Sequence, residues 1–135
     1  MAVTSVLVVE DNELNLELVR EILLSAGFVV YEARSSDAGL HAASTLSPHL
    51  ILLDIRLPGL DGFGVLKRLR ADPVTAGIPV VALTAQAMVG DREQVLAAGF
   101  DGYIAKPVDT RTLADQVRSV LEQSPRGRAA GGEHS

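Results

Sequence analysis

Short uninterrupted apolar runs alternate along the chain with stretches whose apolar residues recur every three or four positions. The first run, Ser5 to Val9, is followed by Glu10 and Asp11. A helical stripe of Leu14, Leu18, Val19, Ile22 and Leu23 comes next, with Asn12 placed to cap it and Gly27 to stop it. Val29 to Ala33 reads as a second strand, and Ala38, Ala42, Ala43 and Leu46 as a weaker helical face ending before Pro48. Leu50 to Leu53 is apolar throughout and ends at Asp54; continuous rather than alternating apolarity marks a strand buried on both faces. Val65, Leu66 and Leu69 mark a third helix after the Leu57-Pro58-Gly59 loop. Ile78 to Leu83 is a fourth strand ending at Thr84, and a helix over Arg92 to Ala98 is stopped by Gly99. Gly102 to Ala105 is a short fifth strand ending at Lys106-Pro107. Thr110 starts a last helix carrying Leu113, Val117, Val120 and Leu121.

Strict strand-helix alternation predicts parallel strands joined by right-handed crossovers, an α/β fold with helices on both faces of the sheet. The pattern spans residues 4–122. From Gln123 onward the apolar period stops, and QSPRGRAAGGEHS reads as a flexible tail over 123–135.

Composition narrows the functional classes. Apolar residues make up 47% of the 135 residues but aromatics only 4%, so the core must be built from Leu, Val, Ile and Ala. The net charge of -5 argues against a nucleic-acid binder that works by neutralising phosphates. The absence of Cys excludes thiol catalysis and cysteine-ligated metals. No apolar run approaches the ~18 residues of a membrane span, and the start lacks a basic leader pattern, so a cytoplasmic domain is expected.

In open parallel sheets, ligands bind beyond the carboxyl ends of the strands. Those ends carry Glu10 and Asp11, Asp54, Thr84 and Lys106, while the second strand offers only Arg34 and Ser35. Clustered carboxylates repel unless a cation offsets them, and hard oxygen donors with no Cys favour Mg²⁺. A hydroxyl and an ammonium beside that ion suit an anion, so the set reads as a place for a phosphoryl group next to Mg²⁺. Taken singly, each residue has an ordinary explanation. An Asp after a strand is most often a turn or cap residue, Glu10-Asp11 could complement a helix dipole, Thr84 could cap and Lys106 could be a surface lysine. Their joint occurrence at four corresponding strand ends is what carries the reading.

The segments VLVVEDN (6–12), LILLDIRLPGLDG (50–62), VVALTA (80–85) and YIAKP (103–107) stand in an order and spacing that resemble the receiver domains of two-component response regulators. The likeness covers residues 4–122 and is closer to DivK-like single-domain regulators and to receivers of hybrid kinases, which share the DNELN form after the first strand. It implies a chemotaxis-regulator-like, flavodoxin-like (βα)5 fold, a doubly wound parallel five-stranded sheet with order 2-1-3-4-5.

The resemblance also assigns roles. Asp54 would be the phosphoacceptor, receiving its group from a histidine kinase or a histidine phosphotransfer protein. Asp11 and Asp54 would ligate Mg²⁺ directly, Glu10 mainly through water, and the backbone carbonyl of Arg56 would be a further ligand. Lys106 and Thr84 would contact the phosphoryl oxygens together with the backbone N–H groups of Arg56 and Ala85. Thr84 and Tyr103 would switch, although a half-buried strand tyrosine is as readily structural. Arg56 and Gln86 would tune the lifetime of the phosphorylated state. The Lys106-Pro107 bond would be cis. The surface read by a downstream protein would be the fourth helix, fifth strand and fifth helix, about residues 89–122, and the protein a monomer or weak homodimer with no nucleic-acid or membrane partner.

Other features point elsewhere or nowhere. Gly59, Gly62 and Gly64 precede the third helix, so they match neither a dinucleotide fingerprint nor a P-loop. His41, His49 and His134 have no ligand spacing, and Lys67, Arg68 and Arg70 read as a solvated helix face. Two other functions fit the residues less well. An aspartyl-phosphate phosphatase expects a second Asp two residues after the first, where this chain has Arg56. A degenerate receiver serving only as a structural partner conflicts with the retained acid pair, Asp54, Thr84 and Lys106. The expectation is therefore a stand-alone signalling module rather than a conventional enzyme.

Overall fold

The computed structural model describes residues 3–57, 59–85 and 91–123. Its elements run β1 (Ser5–Val9), α1 (Glu13–Ser25), β2 (Val29–Ala33), α2 (Ser36–Leu46), β3 (Leu50–Asp54), α3 (Gly62–Ala71), β4 (Val80–Thr84), α4 (Asp91–Ala97), β5 (Gly102–Ala105) and α5 (Leu113–Gln123). The strands form one parallel sheet, as the alternation implied, in the order β2-β1-β3-β4-β5 that the resemblance implied.

Two-residue alternation in the buried strands sends side chains to two separate cores. Leu7, Val9, Ile51, Leu53, Val80 and Ala82 face Ala43 of α2, Val65, Leu66 and Leu69 of α3, and Val95 of α4. Val6, Val8, Leu50, Leu52, Val81 and Leu83 face Leu16, Val19 and Leu23 of α1 and Leu113 and Val117 of α5. β1, β3 and β4 are buried along their whole length, which is why they are apolar without a break over Val6 to Val9, Leu50 to Leu53 and Val80 to Leu83.

Local chemistry sets the element ends. The Asn12 side chain accepts from the Asn15 N–H and caps α1, and Asp61 accepts from Gly64 N–H at α3. Gly27 and Gly99, at φ +95° and +111°, occupy the left-handed region just beyond α1 and α4. The Lys106-Pro107 peptide is cis, as expected.

Four readings of the sequence need correction. The apolar face of α1 is Leu16, Val19 and Leu23, whereas Leu14 and Leu18 are exposed. The helix carries more leucines than one face accepts, so spacing alone put Leu14 and Leu18 in the stripe in place of Leu16, while Val19, Ile22 and Leu23 do pack on the core. α5 begins at Leu113 rather than Thr110, because the Asp109 carboxylate takes the Arg111 N–H in a turn before the helix. β4 begins at Val80, Ile78 being buried ahead of Pro79. Arg70 is not part of a solvated basic face. Its guanidinium turns under the sheet to the carbonyl of Ile78 at 2.7 Å and to Asp101 Oδ2 at 2.8 Å. Lys67 and Arg68 are exposed, as expected. His49, at the start of β3, bonds Ser5 through Nδ1. His134 and the tail from 124 to 135 lie outside the described residues. No helix among the described residues is long and apolar enough to cross a membrane.

Candidate functional site

The sheet order places β1 and β3 side by side at its centre, with β4 and β5 following. Residues that end these strands therefore converge on one edge. Glu10 follows β1 and is fully buried, its backbone held by Glu10 N–H donating to the Ala33 carbonyl at 2.9 Å. Asp11 follows it and is exposed. Asp54 is the last residue of β3 and is buried, as is Thr84 at the end of β4. Lys106 lies one residue past β5, tied to β4 by its N–H donating to the Thr84 carbonyl at 2.7 Å.

The charged groups meet in this cleft. Lys106 Nζ donates to Asp54 Oδ2 at 3.0 Å and also pairs with Glu10 Oε1. The Arg56 backbone N–H donates to Asp54 Oδ1 at 2.9 Å. Oxygens of Glu10, Asp11 and Asp54 all lie within 4.8 Å of one another. Two buried carboxylates thus share a single ammonium, and Glu10 Oε2 finds no donor among the described residues.

That imbalance governs the ionisation. Burial above all, and then the neighbouring Asp54, push the Glu10 carboxyl up to about 7 against the pull of Lys106. Burial also opposes the charge on Asp54, but Glu10, the Arg56 N–H and the Lys106 ammonium outweigh it and hold this carboxyl below its ordinary value. Burial likewise works against the charged Lys106, and the two carboxylates overcome it, raising the ammonium above its ordinary range. Surplus carboxylate in a buried, all-oxygen set is what a hard divalent cation offsets, so the donors present fit such an ion.

Of the residues expected at this edge, Glu10, Asp11, Asp54, Thr84 and Lys106 are brought together by the strand ends. Arg56 and Ala85 sit one or two residues beyond β3 and β4, with the Arg56 side chain exposed. Tyr103 stands in β5, half-buried against the core shared with α2, α3 and α4, in register with Ala82. Gln86 lies outside the described residues, as do 89 and 90 at the start of the expected partner surface. What sequence reasoning missed is the partnership of Lys106 with the acids themselves. It was expected only on an incoming anion, and the order of the strands is what brings Nζ onto Glu10 and Asp54.

Comparison with known proteins agrees with this geometry. Residues 6–118 match the family model described as the response regulator receiver domain. The chain is 40% identical over 117 residues to the polar-differentiation response regulator DivK of Brucella ovis, covering 87% of this chain and 95% of that protein. Among solved structures, a putative response regulator from Chloroflexus aurantiacus superposes with a TM-score of 0.85 at 30% identity, over 90% of this chain and all of that one. The receiver domain of a sensor histidine kinase from Pseudomonas aeruginosa, with a magnesium ion coordinated in its active-site cleft, matches at 35% identity and a TM-score of 0.77, covering 90% and 97% of the two chains. With its sheet order, its acidic cleft and most of its length accounted for, the chain belongs to the response regulator receiver domain family of two-component signalling.

Proposed function

We propose that this protein is a stand-alone receiver that accepts a phosphoryl group on Asp54 and signals by changing its surface. The observation that carries this reading is the Asp54 carboxylate, buried at the end of the central β3 and bonded to Lys106 and the Arg56 N–H beside two further carboxylates. An Asp54 oxygen attacks the phosphorus of a phosphohistidine on a histidine kinase or phosphotransfer protein. The phosphorus–nitrogen bond breaks and the imidazole keeps its electron pair. Lys106 leaves its ion pair with Asp54 to hold a phosphoryl oxygen, which compensates the added negative charge. The Thr84 hydroxyl and the N–H groups of Arg56 and Ala85 hold the remaining oxygens. Glu10, Asp11, Asp54 and the Arg56 carbonyl would hold Mg²⁺, which neutralises charge developing on the transferred group.

Thr84, on entering this contact, vacates space that Tyr103 can fill, and the surface of α4, β5 and α5 changes for a downstream protein partner. Residues 4–122 make up this module and 123–135 its tail. It acts as a cytoplasmic monomer or weak homodimer that binds neither nucleic acid nor membrane, and it assists its own phosphorylation and dephosphorylation. Incubation with acetyl phosphate and Mg²⁺, read by intact mass, tests the reading. Wild type should gain one phosphoryl group and Asp54→Ala none; equal gain by the two would overturn the assignment. Arg56 and Gln86 tune persistence, so Arg56→Asn should change the half-life of the modified species.

A further inference from the structure

The loop that leaves Asp54 is pinned from an unexpected direction. Ser36, in the first turn of α2, is buried, although serine at a helix start usually faces water as a cap. Capping is done here by its neighbour: the Ser35 side chain accepts the Ala38 N–H at 3.1 Å. The Ser36 hydroxyl instead accepts the Leu60 N–H at 3.2 Å, across 24 residues of chain. Gly59 leaves room for this approach. It sits at φ +86°, and a Cβ there would lie 3.3 Å from Ser36 Oγ.

The far end of the same loop closes directly on the acceptor strand. Gly62 N–H donates to the Ile55 carbonyl at 2.7 Å. A Cβ on Gly62 would fall 2.6 Å from Ile55 Cα and 3.1 Å from the Asp54 carbonyl oxygen. Leu60 is thus held to α2, while Gly62, two residues on, is pressed against Ile55, the residue between Asp54 and Arg56. A shift at Leu60 has little slack in which to dissipate before it reaches Arg56.

We propose that Ser36 is a positioning residue for the phosphoacceptor site: through the Leu60 N–H its hydroxyl fixes the loop that presents the Arg56 backbone to Asp54 and to the cation. The cation half of this statement rests on the function proposed above; the loop half does not.

The test compares Ser36→Ala with Ser35→Ala, which removes a hydroxyl bond from the same helix start without touching the loop. Amide hydrogen exchange is followed by NMR in metal-free protein, and Mg²⁺ affinity by calorimetry. Ser36→Ala should speed exchange at both Leu60 and Arg56 and weaken Mg²⁺ binding roughly five-fold, the scale of one lost neutral hydrogen bond. Ser35→Ala should leave the Arg56 exchange rate and the Mg²⁺ affinity at wild-type values. If Ser36→Ala lowers thermal stability yet leaves those two quantities unchanged, the residue is merely structural and the proposal fails. If wild type takes up no Mg²⁺, the reading of the cleft falls instead, and the Arg56 exchange rate alone decides for or against Ser36.

Discussion

The sheet carries a largely buried ion cluster at each edge, and the two are built on opposite terms. At the amino edge, Arg70 bonds the carbonyls of Ala76, Ile78 and Gly99 and the carboxylate of Asp101, and that carboxylate also accepts the Val80 N–H. One cation meets one anion, and backbone groups take up further donors and acceptors on both. At the carboxyl edge, one ammonium, Lys106, meets both Glu10 and Asp54 with Asp11 alongside. Both clusters are largely buried and both contain Asp beside a basic side chain, so burial and residue type do not separate them. The balance of charge does. A one-to-one pair holds α3 against the loops before β4 and β5, whereas three carboxylates around one ammonium leave negative charge in surplus.

The comparison breaks most visibly at Arg70. Replacing it by Met takes this cation from Asp101 and removes the guanidinium bonds to three carbonyls. A loss of about 3 kcal/mol is expected, in the range for one partner removed from a buried pair. Urea denaturation measures that loss. The part of the population that remains folded should still take up phosphoryl from acetyl phosphate at close to the wild-type rate, since the carboxyl-edge cluster is untouched. A strong fall in that rate would mean that the two edges are coupled rather than independent.

Much of this was legible in the chain. Unbroken apolarity in β1, β3 and β4 announced a sheet covered on both faces, and the polar residues ending those strands announced the edge where chemistry gathers. What periodicity could not supply was which of several leucines α1 would bury, because that depends on how the helix is rotated against β1. Nor could it separate Arg70 from Lys67 and Arg68, neighbours in sequence with similar side chains. Only the placement of Asp101 and of the loop before β4, 31 and 8 residues away, turns one of the three inward. Ser36 was invisible for the same reason, its partner being a backbone N–H that carries no residue-type signal.

A sharper contrast comes from neutral isosteres, one at each edge, in metal-free protein near pH 8. Asp101→Asn gives up a charge that Arg70 needs and should cost about 2 kcal/mol. Glu10→Gln removes the surplus carboxylate and should stabilise by about 1 kcal/mol, because the charge it deletes lacks full compensation. Opposite signs from two Asp/Glu-to-amide changes, read by thermal denaturation, would be hard to obtain if both clusters were structural. A destabilised Glu10→Gln protein would place Glu10 in the same class as Asp101.

The smallest effect is a slope rather than a shift. Glu10 has its folded pKa raised from 4.5 to about 7, so it binds a proton more tightly folded than unfolded. Its contribution to stability is therefore fully present below pH 4.5 and is lost as pH rises through about 7. Asp54, held below 3.8, works in the opposite sense, but its window lies in stronger acid and does not overlap. Between pH 5 and 7.5, the melting temperature in EDTA should fall by a few degrees for wild type and stay flatter for Glu10→Gln. Excess Mg²⁺ should remove most of the wild-type slope, since a bound cation favours the same ionised carboxylate that burial disfavours. If the slope persists in Glu10→Gln, some other group carries the titration, and the surplus charge at the carboxyl edge is not what sets it apart from Arg70 and Asp101.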